Sequence, residues 1–110
     1  MDFQDKTAIV TGGAGGIGRG IALALARRGA NVIIADLDEK SAKSVVNEIK
    51  SGGSRSYFAE TDVTQQWSTD QMVEATLEEY GNLDVLVNNA GVGGALGFTD
   101  RKIPNREDWQ

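Results

Sequence analysis

Residues 11–18 read Thr-Gly-Gly-Ala-Gly-Gly-Ile-Gly, and no other stretch of the 110-residue chain restricts its fold as strongly. Positions 13 to 18 fit G-x-G-x-x-G, and the same residues fit T-G-x-x-x-G-x-G through Gly12, Gly16 and Gly18. Chain without β-carbons can turn tightly and lets a ligand approach its backbone. The flanks matter as much as the glycines. Lys6–Thr11 is a short apolar run that reads as a buried strand, and from Ile17 to Arg28 the apolar and alanine positions fill a helix that Gly29 can end. A strand turning directly into a helix aims the helix's first N–H groups, and the positive end of its dipole, at whatever lies beyond the turn. A pyrophosphate suits that place; the plain alternative is a turn with no ligand.

Composition removes whole classes of chemistry. The chain has no cysteine and no histidine, so it holds no disulfide framework, no thiolate or imidazole zinc site, no cysteine nucleophile and no Ser-His-Asp relay. Eleven basic against 16 acidic residues give a net charge of −5. That balance, without a basic patch, argues against nucleic acid and against anionic membrane as partners. The longest apolar stretch, Ile21 to Ala26, is too short to span a bilayer, and the first five residues lack the look of a signal peptide. A soluble, cytoplasmic protein is the expectation. The 14 glycines are clustered rather than periodic, which points to sites and not to fibres.

Beyond the first helix the periodicity keeps alternating. Asn31–Asp36 is a β-branched run without polar alternation, expected as a strand covered on both faces. Ala42, Val45, Val46 and Ile49 follow helical spacing, with Asp38 placed to cap the start and Gly52-Gly53 to close the end. Arg55 to Val63 reads as a third strand. Ser68-Thr-Asp-Gln71 has the spacing of a capping box, and Met72, Val73, Thr76, Leu77 and Tyr80 then give an apolar face closed by Gly81. Leu83–Asn88 is the fourth strand, and Val92 to Pro104 reads as loop. Trp67 and Trp109 read as packing residues. Four strands alternating with three helices predict one α/β domain over residues 1–110, a doubly wound, Rossmann-type parallel sheet of order 3-2-1-4. Such sheets bind ligands outside the carboxyl ends of their strands. In that order the fourth strand leaves an apolar edge at Val85 and Val87, open to self-association.

The polar clusters fall at those carboxyl ends. Asp36 closes the second strand 18 residues beyond Gly18, about where a dinucleotide fold sets the acid that accepts hydrogen bonds from both adenosine ribose hydroxyls. The same carboxylate repels a 2′-phosphate, and Leu37 beside it offers no compensating cation. Arg19, just past the last motif glycine, remains a possible phosphate contact. Asp62 is open between ligand contact and strand-end cap, and Asn88-Asn89 between ligand contact and amides that tie loops to the sheet.

Taken in order, Thr11-Gly-x-x-x-Gly-x-Gly18, Asp36, Asp62-Val63 and Asn88-Asn-Ala-Gly91 resemble the cofactor half of a short-chain dehydrogenase/reductase. What the resemblance implies is NAD lying across Gly12, Ala14, Gly15, Gly16, Ile17 and Gly18, with Asp36 and Leu37 at the adenosine ribose. It further implies Asp62 and Val63 at the adenine, Asn88, Ala90 and Gly91 along the nucleoside side, and Asn89 bracing the central strands. Asp36 with Leu37, and no basic residue at Gly13 or Ala14, resembles the family's NAD-preferring pattern over NADP.

The sequence departs from the family in its chemistry. The family works with a Ser, a Tyr-x-x-x-Lys and an Asn on the helix after the fourth strand. Tyr57 is followed four residues on by Thr61 and Tyr80 by Asp84, so neither fits. Asn105 reads as a helix cap. The chain is therefore expected to be truncated before the catalytic half of an oxidoreductase that interconverts a small alcohol and a ketone, a homo-oligomer at full length, and inactive by itself. No catalytic residue and no metal ligand is assigned within it. Two alternatives are a non-enzymatic nucleotide-binding module and a methyltransferase, which also sets a glycine turn and an acid ending strand two against a nucleoside cofactor.

Overall fold

The computed structural model describes residues 2–89. They alternate strictly: β1 (Thr7–Thr11), α1 (Gly16–Arg27), β2 (Asn31–Asp36), α2 (Glu39–Ser51), β3 (Ser56–Glu60), α3 (Gln66–Tyr80) and β4 (Val85–Asn88). The sheet is parallel in the order β3-β2-β1-β4, as the alternation requires. Register is in step across the centre, with Thr7 beside Asn31 and Thr11 beside both Ala35 and Asn88.

The sheet is covered on both faces because successive strand residues point opposite ways. Val10, Val32 and Ile34 face α1 and α2, where they meet Ala22, Ala26, Ala42, Val45, Val46 and Ile49. Ile9, Ile33 and Ala35 face the other way and pack with Ala59 and Met72 of α3. Every β1 residue is buried, as is the interior of β2. Among the described residues no helix is long and apolar enough to cross a membrane.

Several expectations need correction. Of the α1 positions, Gly18, Ala22 and Ala26 form the buried stripe, with Ile21, Leu23 and Leu25 packed partly buried beside it; residues four apart without large side chains let the helix sit close on the sheet. Ile17 is 76% exposed. Helix α3 starts at Gln66, and Ser68 is not its cap. The Ser68 hydroxyl is occupied inside the first turn, accepting the Asp62 N–H at 2.8 Å, so the Ser68–Gln71 spacing is coincidental. Leu77 of the expected apolar face is 45% exposed, and Trp67 is 61% exposed rather than packed. Strand β3 is shorter at both ends than Arg55–Val63. On β4 the residue that opens to solvent is Leu86, not Val85 or Val87, which are half-buried. Val92 to Pro104, Asn105 and Trp109 lie outside the described residues.

Candidate functional site

The carboxyl ends of the strands bring the candidate residues together. Chain leaves β1 through Gly12, whose φ of 67° is left-handed and whose N–H still donates to the Ala35 carbonyl at 2.8 Å. The turn thus stays stitched to β2 while it reverses toward α1. Gly13 is buried; a β-carbon there would stand 3.1 Å from the Val10 carbonyl oxygen. Gly18, on the first turn of α1, is tighter still. An added β-carbon would fall 2.1 Å from the Gly12 carbonyl oxygen and 2.8 Å from Asn89 Nδ2. The Asn89 amide itself donates to that carbonyl at 3.2 Å, so β4 clamps the turn, and the expected bracing role of Asn89 is played on β1 through Gly12.

Gly15 and Gly16 differ from these two. A β-carbon on either would meet nothing within 4 Å, so packing does not explain them; Gly16 is set by its left-handed backbone, φ 56°, whereas Gly15 has extended backbone that any residue adopts. Gly15 is the N-cap of α1 with extended backbone and no side-chain cap, and the first turn carries no acid. Open space over an uncapped helix start is a cradle fitted to an anionic group. Ile17 and Leu37, 76% and 61% exposed, flank this cradle with apolar surface.

Asp36 reaches into the turn from β2. Its Oδ2 accepts the Ala14 N–H at 3.2 Å, and its Oδ1 accepts the Asp38 N–H at 3.0 Å. Arg19 turns elsewhere: a single guanidinium nitrogen, Nη2, donates to both carboxylate oxygens of Glu48 on α2, at 2.8 and 2.7 Å. Asn88 Oδ1 lies 3.4 Å from the Thr11 hydroxyl, which also faces the Val87 carbonyl at 3.2 Å.

Asp62 has a structural task whatever else it does. Its Oδ1 accepts the Thr64 N–H at 3.0 Å and the Thr64 hydroxyl as well, which holds its carboxyl below the ordinary value and fixes the turn into α3. Val63 beside it is half-buried. Ala90 and Gly91 lie outside the described residues. Neither tyrosine is near the cradle. Tyr57 and Tyr80 line a depression with Lys50 and Arg55 at the amino end of the sheet, where burial pushes the Tyr80 phenol up. Another depression, lined by Arg27, Arg28, Gly29 and Gly53, is also at that end. Among the described residues no cluster of acids could hold a metal ion.

Sequence reasoning named Asp36, Asn88 and the glycines, but it missed the Ala14–Asp36 bond, the Thr64 partner of Asp62 and the Glu48 partner of Arg19. The second has a local signal, since an acid two residues before a threonine suggests a side-chain turn; the first joins residues 22 positions apart and has none. The third joins two helices and has none.

A doubly wound parallel sheet with a glycine turn leading into its first helix defines a Rossmann-type α/β fold, and comparison with known proteins narrows this. The chain belongs to the short chain dehydrogenase family, whose model matches residues 6–110. Over 111 residues it is 38% identical to the (2S)-[(R)-hydroxy(phenyl)methyl]succinyl-CoA dehydrogenase subunit BbsD of Thauera aromatica, covering 99% of this chain and 43% of that protein. It is 47% identical over 93 residues to the short chain dehydrogenase/reductase astE of Aspergillus oryzae, covering 84% of this chain and 36% of that one. A short chain dehydrogenase/reductase from Burkholderia phymatum, solved in complex with NAD, superposes with a TM-score of 0.75 at 29% identity over 78% of this chain and 31% of its own. The chain thus spans well under half the length of these relatives. A methyltransferase finds no support in the family match.

Proposed function

We propose that this chain is the NAD-binding portion of an oxidoreductase that interconverts a small alcohol and its ketone. The observation that carries the reading is the open cradle at Gly15, where neither packing nor backbone conformation requires a glycine and α1 starts without a side-chain cap. Bound there, NAD would supply a hydride acceptor. The residues of this chain would bind and orient it: first-turn N–H groups of α1 at the pyrophosphate, Asp36 at the adenosine ribose, Asp62 and Val63 at the adenine, Asn88, Ala90 and Gly91 along the nucleoside. The NAD complex of the Burkholderia phymatum relative supports the choice of cofactor.

NAD is favoured over NADP on two grounds. Asp36 presents a carboxylate at the ribose, and Arg19 is engaged by Glu48 while Leu37 is uncharged. A carboxylate hydrogen-bonded to two hydroxyls gains roughly 1.5–3 kcal/mol per good charged bond, whereas a 2′-phosphate meets like charge. A preference for NADH of at least about tenfold follows, about 1.4 kcal/mol. Dissociation constants for NADH and NADPH, measured in the protein and in Asp36→Ala, test this. The preference should collapse in Asp36→Ala; a preference that survives the substitution contradicts it.

The family's Ser and Tyr-x-x-x-Lys do not occur in the sequence, so residues 1–110 lack the group that would move the alcohol proton. Purified 1–110 should bind NADH without oxidising secondary alcohols. Steady NADH formation from any of them would refute this, and absence of NADH binding would refute the cofactor assignment. A homo-oligomer is proposed for the full-length protein, with light scattering as its test.

A further inference from the structure

We propose that Asp36 is also a positioning residue for the phosphate cradle, so that ribose recognition and pyrophosphate binding are coupled through one carboxylate. The inference rests on the nucleotide-binding reading above and extends it. An ionised carboxylate offers about four acceptor positions on its two oxygens. Two are used within the protein: Oδ2 takes the Ala14 N–H from the glycine turn, and Oδ1 takes the Asp38 N–H from the residue that caps α2. One position per oxygen is left, which matches the two vicinal hydroxyls of a ribose. The acid can therefore bind the sugar without releasing the turn.

The turn has few other ties on this side. Gly12 is held by Ala35 through its N–H and by Asn89 through its carbonyl, but both act before the chain reaches the cradle. A β-carbon added at Gly15 or Gly16 would meet nothing within 4 Å. Ala14, just before them, is joined to β2 by the Asp36 bond. Loss of that bond leaves Ala14 held by its packing against the core and Gly15 by the Arg19 N–H, so the turn loosens and ordering it on binding costs more.

The coupling makes a prediction opposite to that of a simple ribose contact. For a ligand without ribose hydroxyls, removing the Asp36 charge should strengthen binding if repulsion of the diphosphate were its only effect. If Asp36 holds the turn, removal weakens binding even then. The probes are ADP and 2′,3′-dideoxy-ADP, titrated into the protein and into Asp36→Ala, with amide hydrogen exchange recorded on both proteins free of ligand. We expect Asp36→Ala to bind dideoxy-ADP at least about threefold more weakly. The Ala14 amide should exchange faster, while the Gly12 amide, bonded to Ala35, stays protected and reports that the fold is intact. Unchanged or tighter dideoxy-ADP binding with unchanged Ala14 exchange overturns the proposal. If neither protein binds ADP, the nucleotide reading fails, and Ala14 exchange alone still decides whether Asp36 holds the turn.

Discussion

Gly18 and Gly15 lie three positions apart on one turn and answer to different constraints. At Gly18 the obstacle is the protein itself, the Gly12 carbonyl oxygen and Asn89. Gly18→Ala should destabilise the fold by about 1–3 kcal/mol, the usual range for overpacking; an unchanged urea midpoint would show that the turn yields freely. Gly15 has extended backbone and open space, so a side chain there is free of conflict until a ligand arrives. The glycine string was legible in the sequence as a string, but the sequence does not say which glycine serves packing and which serves a ligand. That distinction depends on how near β4 and β2 come, and both are distant along the chain.

Helix α1 shows why elements were easier to place than to orient. Its span was read from periodicity nearly to the residue, yet its buried stripe is the small set Gly18, Ala22 and Ala26, because the glycine turn brings the helix down close to the sheet. Ala22 is fully buried, so Ala22→Leu should cost about 1–3 kcal/mol, read as a fall in the thermal midpoint; a neutral result would mean α1 can lift off the sheet. Helix α3 was misplaced at its start because the Ser68 hydroxyl answers to Asp62 across six residues, outside the reach of a capping pattern. The loops between elements carry a pH dependence. Asp84 accepts the Thr7 N–H at 3.0 Å and Asp62 accepts from Thr64, and both carboxyls are held below the ordinary value of 3.8, chiefly by those bonds. The folded state then binds their protons less readily than the unfolded chain, so the stability they add is complete above about 3.8 and is lost as pH falls through the lower folded values. Urea midpoints at pH 7 and pH 3 should differ less in Asp84→Asn than in the parent; an identical difference would remove Asp84 from this account.

Across the whole molecule, the parallel pairing followed from the alternation of strands and helices, because short crossovers between parallel strands leave few topologies, and the order β3-β2-β1-β4 is the expected one. The site is a consequence of that topology: neighbouring connections diverge above β1, and the glycine turn, Asp36 and Asn88-Asn89 converge there from three strands. Convergence was visible from the sequence, but the bonds that organise it were not, since each joins residues at least 22 positions apart. The most direct test is NADH titration of Gly15→Val beside its urea midpoint. Affinity should fall at least about tenfold while the midpoint stays that of the parent, because the new side chain occupies space only a ligand needs. Equal NADH affinity in the folded Gly15→Val protein would contradict a pyrophosphate seated over this turn.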